Sequence, residues 1–338
     1  MITRVTGATV APTLPLVDFD ATYGYTLDDL MACGAPGNEP ADFDEFWAGV
    51  RAESLAVEPD PEIGPWEPVG PDGVTVATIS VTSLDGARLN GWLARSPGEL
   101  RRALVIGHGY GGRGEPKLEL PQGCLSIQLV SRGQPGSEQP GMPSDPWEHV
   151  LWGIESPRSY SHTGSTADQW VATTVVAGLA PGAPIGYEGG SFGGGIGVLA
   201  AAYEDRFDAV QVTVPSFGNH PLRITLPCTG SGKSIQEHAV DHPEVIDVLR
   251  YVDSATAATR VRVPVLCVTA LADPGVPPPG QFAVATSLAG PTWLHVQPGG
   301  HSEWDGQLQD LAESARQVAE FWTDPVAAVA PQDTTLAG

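Results

Sequence analysis

The sequence predicts an α/β fold: a mostly parallel central sheet with helices on both faces and an antiparallel edge contributed by the N-terminal part of the chain. Three observations carry this. Residues 185–190 form a short apolar run that enters a glycine-rich turn and leaves it as a helical run through 196–202. Further apolar runs at 103–107, 125–130, 207–214, 261–270 and 292–296 are separated by helical or loop-like stretches, as expected of strands buried on both faces. Two alternating runs, 74–81 and 89–94, flank Asp85-Gly86, a hairpin signal that supplies the antiparallel edge. The 338 residues suit one domain of this kind, read here as 1–323, followed by a flexible Ala-, Pro- and Thr-rich tail over 324–338.

Taken in order, residues 1–40 are rich in Pro, Gly, Thr and Asp and read as an extended arm lying on the domain. Phe43, Phe46, Trp47 and Val50 recur at helical spacing, with Asp42 as N-cap and Glu45 as its capping-box partner. Residues 56–72 read as a loop. Residues 138–163 are loop-like and hold Trp147, His149, Trp152 and Tyr160. Trp147 and Trp152 are candidates to line a substrate pocket, and a surface loop with its own aromatic cluster is an equal alternative. A helix over 167–177 returns the chain to the 185–190 strand. Residues 216–243 form an irregular excursion, the candidate cap over a site, with Phe217 near its start as a further candidate substrate contact. Residues 243–252 and 303–322 read as helices.

Gly189-Gly190-Ser191-Phe192-Gly193 has the Gly-x-Ser-x-Gly spelling of a nucleophile elbow, the hallmark of α/β-hydrolase folds. A serine on a strand-to-helix turn takes a strained backbone conformation, and its neighbours two positions away must be small. The helix N-terminus behind it offers free N–H groups to developing negative charge. Downstream come Asp273, just past the 261–270 strand, and His301, just past the 292–296 strand. Ser191, Asp273 and His301 thus follow the chain order of the hydrolase triad. His301 is expected to take the Ser191 proton, and Asp273 to orient and stabilise the imidazole. His108-Gly109-Tyr110-Gly111-Gly112 closes an earlier strand, so the Tyr110 and Phe192 N–H groups are the expected oxyanion donors. Asp253 stands as a reserve acid, although its place at a helix end suits a structural role better.

Composition excludes several classes. Forty acidic against 17 basic residues give a net charge of -23. Such a surface repels nucleic acid and anionic membrane. It reads first as a solvated acidic face, with adaptation to salt or a preference for neutral or cationic substrates as the alternatives. The four cysteines, Cys33, Cys124, Cys228 and Cys267, show no Cys-x-x-Cys pairing, so neither a disulfide framework nor a metal site is expected. Gly189–Gly195 lacks the Lys or spaced acid of a nucleotide-binding loop, and no cofactor is expected. No basic start followed by an apolar h-region opens the chain, so a cytoplasmic protein acting on a small-molecule ester is the expectation. Two other readings remain open at this point. One is an acyltransferase or dedicated metabolite hydrolase built on the same triad. The other is a silent fold member that only binds a ligand.

The same residues resemble the acetyl xylan esterase and cephalosporin C deacetylase family of carbohydrate esterases. The likeness runs through 42–47, His108–Gly112, Arg132-Gly133-Gln134, Gly189-Gly190-Ser191, Gly193-Gly194-Gly195, Tyr251-Val252-Asp253, 263–266, Asp273 with Pro277-Pro278, and Gly300-His301. It implies an α/β-hydrolase fold, removal of short acyl groups from small alcohols or sugars without a metal, and assembly into a homo-oligomer, since members often form ring-like hexamers. Four places depart from the family pattern. Phe192 replaces the usual Gln, Ser302 the usual Glu, residues 214–220 carry a different stretch, and Pro135 interrupts the glycine after Gln134.

Overall fold

The structure is a computed structural model that describes residues 1–7 and 16–331. Residues 8–15 of the expected arm and 332–338 of the expected tail lie outside them. Eleven strands form one sheet: β1 (Ile2–Gly7), β2 (Glu62–Ile63), β3 (Glu67–Val69), β4 (Val74–Thr82), β5 (Arg88–Arg95), β6 (Arg102–Ile106), β7 (Cys124–Leu129), β8 (Ile185–Gly190), β9 (Phe207–Thr213), β10 (Val265–Ala272) and β11 (Thr292–Gly299). The order is β1-β11-β10-β9-β8-β6-β7-β5-β4-β2, with β3 also on β4. The block from β1 to β7 is parallel, and β5, β4, β2 and β3 add the antiparallel edge. The expected architecture is therefore observed. The β4–β5 connection runs over 83–87, closed by Ser83 N–H donating to Ala87 O at 2.8 Å, and within it Asp85 (φ 61°) and Gly86 (φ 75°) both take the left-handed conformation.

Twelve helices complete the described chain: α1 (Leu27–Met31), α2 (Phe43–Leu55), α3 (Pro146–His149), α4 (Ser161–Leu179), α5 (Phe192–Ala201), α6 (His220–Arg223), α7 (Ser231–Asp241), α8 (Val245–Leu249), α9 (Ser254–Ala258), α10 (Pro278–Ser287), α11 (Gln307–Thr323) and α12 (Pro325–Ala328). One face of the sheet carries the larger core, where Trp47 of α2 and Trp170 of α4 meet edge to face with ring centroids 6.0 Å apart. The other carries a smaller core that joins Phe321 and Trp322 of α11 to Leu104, Leu266 and Trp293. The second face is less covered because residues 107–123, between β6 and β7, hold no helix. A groove of about 1060 Å³ runs there over Glu188, Gln211 and Gln297 beside α11.

Several expectations are corrected. The arm is partly woven into the sheet, with β1 parallel to β11 as an edge strand, and it contains α1. The predicted capping box at Asp42 is not made, because the Asp42 carboxylate accepts from the Tyr251 hydroxyl at 2.5 Å instead. A capping box does form at Thr26 with Asp29. The predicted loop over 56–72 holds β2 and β3, and the tail begins with α12, N-capped by Asp324. Asp253 is not a spare triad acid, since it accepts from His220 N–H at 2.6 Å and Thr256 N–H at 2.9 Å, capping α9.

Candidate active site

The site forms at the carboxyl ends of β8, β10 and β11. Ser191 sits between β8 and α5 at φ 53°, ψ -115°, a backbone conformation few residues adopt and one that costs on the order of 1–3 kcal/mol. The surroundings hold it there. Ser191 N–H donates to Thr213 O at 2.8 Å, and Ser191 O accepts from Ser216 N–H at 3.1 Å and Gly195 N–H at 3.0 Å. The small residues of the elbow are required by contact as well. A Cβ on Gly193 would lie 2.7 Å from His108 O and 2.9 Å from His108 N.

The three predicted catalytic residues come together. His301 Nε2 lies 2.9 Å from Ser191 Oγ, and His301 Nδ1 lies 2.8 Å from Asp273 Oδ2. With Nδ1–H donating to the carboxylate, Nε2 is left as the acceptor for the serine proton. Asp273 is fully buried and its other lone pairs are filled. Oδ1 accepts from Gly275 and Val276 N–H at 2.8 and 3.0 Å, and Oδ2 accepts from Gln281 Nε2 at 3.0 Å. Gly300 makes this approach possible, since a Cβ there would sit 2.0 Å from Asp273 Oδ2. Burial alone would lower the His301 pKa. The hydrogen bond to Asp273 and its charge outweigh that and hold the imidazole above its ordinary value.

The expected oxyanion donors lie on the loop after β6 and at the start of α5. Gly193 N–H donates to His108 O at 2.9 Å, which ties this loop to the start of α5. Among the described residues neither Tyr110 N–H nor Phe192 N–H donates to another protein atom. Both therefore remain available to an oxyanion. Beneath the loop, Tyr110 donates its hydroxyl to His149 Nδ1 at 2.8 Å, and His149 Nε2–H donates to Arg132 O at 2.9 Å. Gln134 Oε1 accepts from Gly111 N–H at 3.0 Å. The Arg132 guanidinium grips Asp168 at 2.6 Å, and Asp168 also accepts from Ser83 at 2.6 Å. His108 donates from Nδ1 to Gly109 O at 2.7 Å and accepts at Nε2 from Ser131 N–H at 2.9 Å, and burial lowers its pKa to about 4.

The other candidates are placed differently. Phe192 and Phe217 are each 1 % exposed, their rings 6.0 Å apart, and Phe192 also packs 4.5 Å from Tyr110. Both are buried support, not pocket wall, so the Phe-for-Gln departure is absorbed by the core. Trp152 lines a separate groove with Arg132, Met142 and Arg158, and Trp147 stands exposed on α3. The supporting residues Gln134, His149, His162 and Gln281 were not assigned roles from sequence. The Arg132-Gly133-Gln134 motif was the one signal available for any of them.

The family model described as acetyl xylan esterase (AXE1) matches residues 21–317. Among solved structures, the chain is similar to the acetyl xylan esterase from Paenibacillus sp. R4, at 22% identity and a TM-score of 0.73, over 86% of this chain and 99% of that one. It is similar to acetyl xylan esterase 1 from a Thermoanaerobacterium species at 22% identity and a TM-score of 0.72, over 88% of this chain and 98% of that one. A more remote likeness, at 15% identity and a TM-score of 0.55, covers 82% of this chain and 43% of the Pyrococcus horikoshii acylaminoacyl peptidase.

Proposed function

The chain belongs to the acetyl xylan esterase family and is a hydrolase of carboxylic esters, and on that premise we propose that it removes acetyl groups from a sugar-like alcohol through an acyl-enzyme formed on Ser191. The observation that carries this reading is the unbroken relay from Ser191 Oγ through His301 to Asp273, at 2.9 and 2.8 Å, on an elbow held in a strained conformation.

The steps follow from the geometry. As Ser191 Oγ attacks the acetyl carbonyl, its proton passes to His301 Nε2, and the C–O double bond becomes a single bond to an oxyanion. The Tyr110 and Phe192 N–H groups face that charge, and the α5 N-terminus adds its dipole. The imidazolium formed is stabilised by Asp273, whose position is fixed by Gly275, Val276 and Gln281. Collapse breaks the bond to the alcohol, which leaves with the proton from His301. Water then repeats the sequence on the acetyl-serine, releasing acetate and restoring Ser191.

The test is hydrolysis of 4-nitrophenyl esters from acetyl to octanoyl, with Ser191→Ala alongside. The reading expects activity on acetyl and propionyl only, reduced at least ~10³-fold in the variant. Preference for longer chains would remove the deacetylase assignment while keeping the triad. Loss of no activity in Ser191→Ala would remove the triad itself.

A further inference from the structure

The cap contains a cation that the mechanism above does not use. Arg223 ends α6 and is 4 % exposed. Two other arginines are buried, at 9 % and 6 % exposed, and both are paired with acids: Arg102 with Asp208 at 2.6 and 2.9 Å, and Arg132 with Asp168. Arg223 has no carboxylate partner among the described residues, and its Nε has no hydrogen-bond partner at all. In a chain with 40 acidic and 17 basic residues, a missing partner for a buried guanidinium is not a matter of supply. Burying an unpaired charge is strongly unfavourable, so a group that persists in this state is expected to meet its counter-charge elsewhere.

Its surroundings say where. The guanidinium lies 5.7 Å from the centre of the Phe217 ring, and α7 approaches so closely that a Cβ on Gly232 would be 2.7 Å from Arg223 Nη2. The Phe217 ring lies 6.0 Å from that of Phe192, next to Ser191, and 4.4 Å from that of His162, while the Tyr23 hydroxyl donates to Pro227 O at 2.8 Å and lies 3.4 Å from Asp273 O. Arg223 is thus held within the 216–243 excursion, on the Phe217 ring that packs against the residue after the nucleophile. The neighbouring imidazoles His162 and His220 are also buried with unpartnered ring nitrogens. Burial keeps both neutral, which leaves Arg223 as the one cation of this cluster.

We infer that Arg223 is a specificity-determining residue that binds a carboxylate carried by the ester substrate, so that this enzyme acts on acidic esters in preference to neutral ones. The inference rests on the ester-hydrolase reading above and narrows it. A guanidinium presents paired donors that match a carboxylate fork. The -23 surface argues for neutral or cationic substrates at long range. Arg223 reverses that preference locally, where screening is weak. The carboxylate can sit on either side of the scissile bond, and the test separates the two sources.

The experiment measures kcat/KM for two matched pairs, with 4-nitrophenyl acetate as the neutral reference. On the acyl side, 4-nitrophenyl hydrogen succinate is compared with its methyl ester. On the alcohol side, 4-acetoxybenzoate is compared with methyl 4-acetoxybenzoate. One anionic member is expected to exceed its neutral partner by at least ~10-fold, the order expected of a bidentate charged contact. In Arg223→Met that ratio falls to about one, and Arg223→Lys keeps part of it. Melting is read in parallel: Arg223→Met raises Tm, because it removes an unpaired buried charge. Absence of an anion preference in both pairs overturns the inference, as does a preference that survives Arg223→Met. A lowered Tm or failure of Arg223→Met to fold also overturns it, since a structural cation would give that result. Failure of the underlying hydrolase reading looks different: 4-nitrophenyl acetate itself would show no Ser191-dependent turnover.

Discussion

At the scale of single residues, the proposed mechanism turns on His301. Activity needs its neutral form, and Asp273 holds its pKa above the ordinary value of 6.5. Hence kcat/KM should rise with pH through an apparent pKa above 6.5. Asp273→Asn should move that limb to lower pH and cut kcat by about 10³–10⁴-fold, by removing the partner that fixes the tautomer. A pH–rate profile of the two proteins checks both, and an unmoved limb would dissociate Asp273 from the base. The triad was legible in the sequence because its three residue types each follow a strand at a recognisable place. Gln134, His149 and Gln281 were not. Their roles come from partners such as Gly111, Tyr110 and Asp273 that topology alone brings near. Arg223 was invisible for the opposite reason: what distinguishes it is a partner it lacks.

At the scale of elements, the elbow and the loop after β6, the proposed oxyanion loop, behave as one unit. The Gly193 N–H bond to His108 O and the lack of room for a Cβ both enforce their spacing. Gly193→Ala should push the loop away and lower kcat/KM by roughly 10²–10³-fold, the cost of a lost oxyanion donor. Thermal melting alongside steady-state kinetics checks this, and near-native kcat/KM would show that the loop is not held from α5. Strong apolar runs and the Asp85-Gly86 turn made most of the sheet readable. The short pieces were lost. β2 and β3 are two and three residues long and are stabilised by β4 more than by their own pattern. Helix α10 begins with Pro278-Pro279, which reads as a loop until Pro at the first turn is allowed for. Phe217 is expected as a substrate contact because residue type gives no side-chain direction. Its ring packs 6.0 Å from that of Phe192 in the aromatic core instead.

At the scale of the whole molecule, buried histidines set the response to acid. His108, His149, His162, His220 and His295 all have lowered pKa values, chiefly through burial. The unfolded chain therefore binds more protons than the native one as pH falls below 6.5, and stability is lost in that window. For His108, lowered to about 4, the full loss approaches roughly 3 kcal/mol. His301 and Asp253, with raised values, oppose the trend but are fewer. Urea midpoints at pH 7.5, 6 and 5 should fall steadily, and a flat series would show that these rings are hydrated in the native state.

The edge strand β1 pairs Ile2 with Thr292 and Gly7 with Val296, and Thr3 donates its hydroxyl to Val329 O at 2.5 Å. During synthesis β1 emerges long before the β11 segment with which it pairs. At ordinary translation rates of about 5–20 residues per second, it waits on the order of tens of seconds with its backbone groups unpaired. The interior strands can join while the chain is still emerging, but the sheet gains this edge only once β11 is out. Until then β1 stays an unpaired strand, open to any passing edge.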